Sequence, residues 1–225
     1  MSSYILETKE LSKFYKDASR QVAALNDINL QIESSQYIAI VGPSGAGKST
    51  LIHILGGLDL PSSGKVFFEG RNLVSLKFRR LFSLRNKKVG FMFQFYHLLK
   101  ELTALENIML PCRLSGQKKR IVRKRAEEIA RELDLSQRLN FYPSQLSGGQ
   151  QQKVAFARAV INEPKVLFCD EPTGNLDHDS AENIRNLIKK LNAAHKTTVV
   201  LVTHNLELAK DAQRVLNIKD GRITN

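Results

Sequence analysis

The sequence predicts an α/β fold built around a mainly parallel β-sheet. Apolar runs at residues 37–41, 166–169 and 198–203 have the length and composition of buried strands. The first two are followed by segments with apolar residues at helical spacing. Strands that alternate with helices favour a parallel sheet covered on both faces. Such sheets bind ligands at the carboxyl ends of their strands, so the polar residues there are candidates for a site.

The first 70 residues predict an antiparallel β edge beside that sheet. Ile5, Leu6 and Leu11 indicate a first strand, residues 22–32 a second, and residues 65–68 a short third. Tyr15 lies between the first two in a polar setting, where an exposed aromatic ring can stack on a purine base. A tyrosine that only packs on the surface is the alternative, and it is the commoner case.

Residues 95 to about 160 predict a helical subdomain inserted into the α/β core. Helical spacing at residues 102–110 ends at Pro111, and residues 117–135 form a basic amphipathic helix. The predicted apolar stripe of that helix is Ile121, Ala126, Ile129, Ala130 and Leu133. The chain then returns to the core, with an amphipathic helix at residues 184–191 and a terminal strand at 214–219. Residues 1–225 are therefore assigned to a single domain.

Composition and charge narrow the classes of function. The net charge is +12, and basic residues without acids are concentrated at residues 76–88 and 113–125. Solvated helical faces, nucleic acid and an anionic membrane surface are the alternatives. Because no motif that interleaves aromatics with this charge is present, we expect membrane proximity rather than a nucleic acid partner.

Membrane spans and disulfides are not expected. No segment has the ~20 consecutive apolar residues of a spanning helix. Residues 1–4 lack the basic region and apolar core of a secretory signal. Cys112 and Cys169 lie in apolar surroundings and are predicted to be buried thiols in a reducing compartment.

A phosphate-binding loop follows the apolar run at residues 37–41. Residues 42–49 fit the pattern G-x-x-x-x-G-K-[ST] between a predicted strand and a predicted helix. The glycines let backbone N–H groups surround phosphate oxygens, and the start of the helix favours the same anion. Lys48 can reach the β- and γ-phosphates, and the Ser49 hydroxyl can ligate Mg²⁺. The predicted nucleotide-binding residues are Gly42, Pro43, Ser44, Gly45, Ala46, Gly47, Lys48, Ser49 and Thr50.

An acidic pair closes the apolar run at residues 166–169. Asp170 at the strand end can hold Mg²⁺ through water, and Glu171 can polarise an attacking water. A solvated turn is the usual role of such a pair, but the upstream phosphate loop favours chemistry.

A second Gly-rich helix start lies at residues 146–150. Ser147 has capping-box spacing to Gln150, and the free N–H groups of Gly148 and Gly149 add a second anion site. One nucleotide does not need two distant phosphate sites on one chain. A dimer in which each chain covers the nucleotide of the other explains both.

The motifs and their order resemble those of ATP-binding cassette (ABC) ATPases, the nucleotide-binding subunits of ABC transporters. The resemblance runs from about residue 4 to residue 222. Residues 42–49 correspond to Walker A and residues 146–150 to the family signature, whose residues would bind the nucleotide. Asp170 corresponds to the Walker B aspartate and Glu171 to the catalytic glutamate.

The resemblance also implies roles for four further residues. Gln94 is similar to the Q-loop glutamine, which ligates Mg²⁺ and faces the nucleotide, and Asp177 falls in the D-loop. His204 is similar to the switch histidine that senses the γ-phosphate, and Tyr15 falls where an adenine-stacking aromatic is expected. The resemblance therefore implies an ATPase that uses ATP and Mg²⁺.

The family also implies partners and a location. We expect a homodimer that encloses ATP between two copies of the chain, together with separate integral membrane permease subunits. The chain would then be a peripheral protein at the cytoplasmic face of the inner membrane.

A finer resemblance concerns residues 90–99 and 103–107. These are similar to lipoprotein-releasing system ATPases, as are residues 171–177 and 219–222. Slightly altered versions occur in macrolide-exporter-like and cell-division ATPases, but residues 94–99 favour lipoprotein release. A soluble ABC ATPase that acts on nucleic acid or the ribosome is a further alternative, although such relatives usually carry two cassettes or a coiled-coil insertion. His97 is predicted to contact the membrane subunit, with a surface residue as the alternative. His53, His178 and His195 are predicted to be surface or packing residues.

Overall fold

A computed structural model describes residues 4–17 and 20–224 of the chain. Residues 1–3 lie outside the described residues, so the expectation that they begin no secretory signal remains one from sequence. Elements are numbered in chain order. An antiparallel sheet contains β1 (Tyr4–Asp17), β2 (Arg20–Glu33), β4 (Ser63–Phe68) and β5 (Arg71–Asn72), in the order β2-β1-β4-β5.

A six-stranded sheet forms the centre of the fold. It contains β3 (Tyr37–Val41), β6 (Val89–Phe93), β7 (Val166–Asp170), β8 (Thr198–Thr203), β9 (Arg214–Lys219) and β10 (Arg222–Thr224). The order is β10-β9-β3-β8-β7-β6, and every neighbouring pair is parallel except β9 and β10. The predicted α/β class, with a mainly parallel sheet and an antiparallel β edge, is confirmed.

Helices connect these strands. They are α1 (Lys48–Leu55), α2 (Phe78–Lys88), α3 (Ala104–Leu114), α4 (Lys119–Glu132), α5 (Gly148–Val160), α6 (His178–His195) and α7 (Leu206–Ala209). Short 3₁₀ turns lie at Leu73–Ser75, Ser136–Arg138 and Pro143–Gln145. The chain between β6 and β7 contains helices and turns with no strand, as predicted. None of the helices in the described ranges is long and apolar enough to cross a bilayer.

Alternation along the central strands divides the core into two layers. Ile38 and Ile40 of β3 face α1 and the antiparallel sheet, while Ala39 and Val41 face the layer that contains α3, α5 and α6. Because successive side chains of a strand point to opposite faces, a fully apolar strand can serve both layers. Both cysteines are buried, in agreement with the prediction.

The prediction that Pro111 stops a helix is wrong. Helix α3 continues through Pro111 to Leu114. Proline removes one intrahelical bond, but Met109 and Cys112 on either side of it are buried in the core. The carbonyl of Pro111 also accepts the backbone N–H of Ser115 at 3.3 Å. Burial on this face therefore outweighs the local preference for termination.

The predicted stripe of the basic helix is wrong at its first position. Ile121 is 54% exposed, and Val122, which was not predicted, is buried together with Ala126 and Ala130. Positions 122, 126 and 130 share one helix face, and Ile121 lies one residue out of phase with them. The helix itself is also shorter than the predicted range 117–135.

Tyr15 does not lie between two strands. It lies inside β1, where it pairs with Val22 of β2, and its neighbour Phe14 pairs with Ala23. The polar surroundings concealed the strand because both of its faces are partly open to solvent at this end. The ring of Tyr15 is 43% exposed, which agrees with the predicted exposure.

Candidate active site

The carboxyl ends of β3, β6, β7 and β8 meet at one edge of the central sheet. In the strand register Val41 lies opposite Thr203, and Phe93 lies opposite Asp170. A cleft of about 920 Å³ opens at this edge. The predicted site residues that line it are Tyr15, Ser44, Gly45, Gly47, Lys48, Ser49, Thr50, Gln94, Asp170, Glu171 and His204.

The loop between β3 and α1 has the geometry of an anion cradle. Gly47 has φ of 99°, and a side chain there would meet the carbonyl oxygen of Ala24 at 2.2 Å. No side chain caps the start of α1, so its first N–H groups are available to an anion. Nζ of Lys48 donates to the carbonyls of Gly42 and Pro43, both at 2.9 Å, and is thereby held across the loop.

Asp170 and Ser49 form a pair of oxygen donors beside this loop. Oγ of Ser49 donates to Oδ1 of Asp170 at 3.0 Å. Burial raises the pKa of Asp170, and the hydrogen bond from Ser49 only partly offsets this. A cation beside the carboxylate would relieve the same desolvation.

These donors fit a magnesium ion better than a metal held by protein alone. The described residues contain no group of three His, Cys, Asp or Glu side chains that could hold a metal. Mg²⁺ usually binds through one or two carboxylates plus substrate phosphates and water, and Ser49 and Asp170 match that donor set.

Glu171 follows β7 in a strained conformation. Its φ is 46°, in the left-handed region, and its N–H donates to the carbonyl of Val202 at 2.9 Å. The carboxylate accepts the Thr203 hydroxyl at 3.0 Å and the His204 N–H at 2.8 Å. Nδ1 of His204 lies 2.7 Å from the same carboxylate. The predicted catalytic residues, Glu171 and His204, are therefore in direct contact.

Gln94 connects the cleft to the loop after Glu171. Its backbone carbonyl accepts Nδ2 of Asn175 at 3.2 Å. A side chain at Gly174 would meet Nε2 of Gln94 at 3.0 Å. The two loops therefore pack closely against each other.

Two side chains of neighbouring helices hold the residues after Gln94 through hydrogen bonds to their main chain. We call residues 94–99 the docking segment. The half-buried Arg158 of α5 donates to the carbonyls of Tyr96 and His97, at 2.8 and 2.6 Å. The fully buried Asn107 of α3 accepts the N–H of Leu99 at 2.8 Å and donates to its carbonyl at 3.0 Å. Asn107 also donates to the carbonyls of Leu102 and Thr103, both at 3.0 Å.

The signature residues do not line the cleft of their own chain. Ser147 caps α5 through a capping box with Gln150, as predicted. A side chain at Gly148 would meet the Tyr96 hydroxyl at 2.8 Å, and one at Gly149 would meet Oγ of Ser180 at 2.5 Å. Asp177 likewise caps α6 by accepting the N–H of Ser180 at 2.9 Å. Ser147, Gly148, Gly149, Gln150 and Asp177 are thus grouped on a surface that the cleft does not include.

Sequence reasoning missed residues in the cleft and next to it. His53 was assigned to the surface or to packing, yet it lines the cleft and packs edge-on against Phe93 at 6.1 Å. Among the described residues, nothing forms a hydrogen bond with its buried Nε2. Thr203, which orients Glu171, gave no signal beyond its place at the end of an apolar run. His53 could have been found from its position one helical turn after Ser49.

Comparison with known proteins identifies the family. The family model described as "ABC transporter" matches residues 25–174. The chain belongs to the ABC transporter family. It is an ATPase of this family, as predicted. Tyr15, most of the loop between β3 and α1, and the acidic pair line the cleft described above.

Several relatives match the chain almost from end to end. The lipoprotein-releasing system ATP-binding protein LolD of Idiomarina loihiensis is 45% identical over 98% of this chain and 97% of the relative. LolD of Saccharophagus degradans is also 45% identical, with the same coverage.

Solved structures show the same architecture. The ATP-binding cassette MJ0796, described as dimeric in a post-hydrolysis state bound to ADP and Pi, has a TM-score of 0.92 and 39% identity. That similarity covers 98% of this chain and 97% of the cassette. CbiO1 of Clostridium perfringens, described as part of the transporter complex CbiONQ, has a TM-score of 0.85 and 27% identity over 100% of this chain and 88% of CbiO1.

Proposed function

We propose that this chain is the ATP-hydrolysing subunit of an ABC transporter that releases lipoproteins from a membrane. The observation that carries the proposal is the division of phosphate-binding groups between two surfaces. The cleft supplies Lys48 and Glu171, while the start of α5 supplies Ser147 elsewhere on the chain. Lipoprotein release is supported by the relatives named LolD.

In the proposed mechanism, each group of the cleft has one task. Tyr15 stacks on the base, and the N–H groups at the start of α1 bind the phosphates together with Lys48. Glu171 accepts a proton from the attacking water or orients it, and His204 binds the γ-phosphate. Thr203 and the His204 N–H hold the Glu171 carboxylate in place through their hydrogen bonds.

Magnesium is proposed to neutralise phosphate charge in this cleft. Ser49 and Asp170 would hold it, the latter through water, with Gln94 as a further ligand. Burial already disfavours the charged form of Asp170, so its carboxylate gains from a nearby cation.

A homodimer is proposed because it would complete both nucleotide sites. A nucleotide bound to Lys48 of one chain would be covered by Ser147 and Gly149 of the other. The dimeric cassette MJ0796 supports this arrangement. Asp177 caps α6 at Ser180, which lies against Gly149, so it would lie at the same dimer contact.

The docking segment is proposed to contact the permease. Phe95 is 66% exposed and Leu99 44% exposed, and both follow Gln94 directly. Tight packing of Gln94 against Gly174 would pass the nucleotide state to this surface. The chain would thereby sit as a peripheral protein at the cytoplasmic face of the inner membrane.

Reconstitution with the permease subunits in lipid vesicles tests the function. ATP should drive release of a labelled lipoprotein from the vesicles to an acceptor. A Glu171→Gln chain, which assembles but cannot accept a proton, is the matched control. ATP hydrolysis that is stimulated by the permease without release of lipoprotein would contradict this function.

Mixed dimers test the shared sites. Lys48→Ala and Ser147→Arg chains should each be inactive alone. Mixed together, they form one site with both lesions and one with neither, so hydrolysis should partly return. Full activity of a preparation that light scattering shows to be monomeric would refute shared sites.

A further inference from the structure

The Tyr15 ring is held in place by polar contacts from a loop beyond α1. Its hydroxyl donates to Oδ2 of Asp59 at 2.9 Å. Burial and this hydrogen bond raise the pKa of Tyr15, while a hydrogen bond with the Thr50 side chain lowers it. The hydroxyl therefore lies between α1 and the loop that follows it.

Asp59 is itself firmly placed. Its N–H donates to the carbonyl of His53 at 3.2 Å, which fixes it to the end of α1. Its Oδ1 accepts the N–H of Leu60 at 2.7 Å and Nζ of Lys13 at 2.8 Å. Burial alone would raise the pKa of Asp59, but hydrogen bonds from Lys13, Tyr15 and Leu60 outweigh it and hold the pKa below its ordinary value.

Lys13 completes the arrangement. Its side chain is only 13% exposed, and its ammonium also donates to the carbonyl of Leu60 at 2.7 Å. The same ammonium lies over the Tyr15 ring, 4.9 Å from the ring centroid. One face of the ring is thus covered by a cation, and a base can stack only on the other face.

We propose that Asp59 and Lys13 form a clamp that positions Tyr15 as the platform for the nucleotide base. Tyr15 is on β1 of the antiparallel sheet, while Asp59 is fixed to α1, which starts at the phosphate loop. The clamp therefore sets the distance from the base platform to the phosphate cradle. It rests on the proposed role of Tyr15, and Asp59 acts only through Tyr15.

This clamp makes a selective prediction about ligands. Loss of the clamp lets the ring turn, which weakens binding of a ligand that has a base. A ligand that consists of phosphates alone still meets Lys48 and the start of α1 unchanged. Affinities for Mg-ATP and for inorganic tripolyphosphate should therefore respond differently.

The experiment measures both affinities by titration calorimetry of the full chain. Asp59→Ala and Tyr15→Phe each remove one partner of the same hydrogen bond, so each should weaken ATP binding about threefold to tenfold. The double variant should bind no more weakly than the worse single variant. Tripolyphosphate affinity should be unchanged in all three. Glu128→Ala, which removes an exposed carboxylate of α4 far from the cleft, should change neither affinity.

Three results would overturn the clamp. Equal losses for ATP and tripolyphosphate would show general damage to the site, and multiplicative losses in the double variant would show independent roles. Unchanged ATP affinity in Tyr15→Ala would show that the ring is no base platform. If Tyr15→Ala still binds tripolyphosphate in that last case, the proposed phosphate-binding loop and the proposed hydrolysis are not contradicted.

Discussion

Replacement of Asn107 should lower the free energy of unfolding without removing a residue that lines the cleft. Its side chain is fully buried, and it makes four hydrogen bonds to the main chain of Leu99, Leu102 and Thr103. Asn107→Ala would leave those groups without their partner. The amide NH2 has two N–H donors for its three carbonyl partners, so the contacts correspond to about three full bonds. At about 0.5–1.5 kcal/mol for each bond, they amount to roughly 1.5–4.5 kcal/mol.

Hydration reduces that figure. Leu99 is exposed and Leu102 partly exposed, so water can reach some of the freed groups. We therefore expect a loss of about 1–3 kcal/mol in the free energy of unfolding. With a urea dependence of about 3 kcal/mol per molar for a chain of this size, the midpoint should fall by roughly 0.3–1 M.

Urea unfolding followed by circular dichroism measures this change. Asn186→Ala on the exposed face of α6 is the matched control, and it should leave the midpoint almost unchanged. Asn107→Asp keeps one acceptor but places a carboxylate oxygen against three carbonyls. Its deficit at neutral pH should shrink in acid, where the carboxyl can donate. A midpoint for Asn107→Ala within about 0.1 M of wild type would refute the argument, because even one lost bond of about 0.5 kcal/mol exceeds that shift.

Three further predictions concern the cleft and the docking segment. Glu171→Gln should retain ATP binding and abolish turnover, since an amide cannot accept the proton; phosphate release and nucleotide titration check this. Burial raises the pKa of Asp170, so its charge destabilises the folded chain at neutral pH. Asp170→Asn should therefore raise the melting temperature of the metal-free chain at pH 7. The gain should shrink as pH falls through the folded-state pKa and vanish below the ordinary pKa of an aspartate. Leu99→Asp should abolish assembly with the permease on a sizing column and spare basal hydrolysis, because the Leu99 side chain is exposed while Asn107 holds only its main chain.

Local signals were sufficient for the elements of the central sheet. The strands β3, β7 and β8 are short, apolar on both faces and bounded by polar residues, so their sequence admits few alternatives. The phosphate loop and Glu171 could be placed for the same reason, since they follow those strands directly. Parallel pairing then brings distant residues such as Ser49 and Asp170 to one edge.

Tertiary contacts decided the features that the sequence did not reveal. Pro111 continues a helix because its neighbours are buried, and Val122 rather than Ile121 faces the core because of the phase set by Ala126. The partners of Tyr15 could not be predicted, because Asp59 lies 44 residues away and belongs to a loop. Polar contacts of this kind leave no periodic pattern in a sequence.

The hydrogen bonds that Arg158 and Asn107 make to the docking segment involve only its main-chain atoms. Arg158 and Asn107 bind carbonyl and N–H groups, which are the same whatever side chain a residue carries. The path of the segment therefore depends little on which side chains occupy the exposed positions 95 and 99. Those side chains can differ between cassettes without changing the main-chain path. The choice of membrane partner can therefore change while Arg158 and Asn107 stay the same.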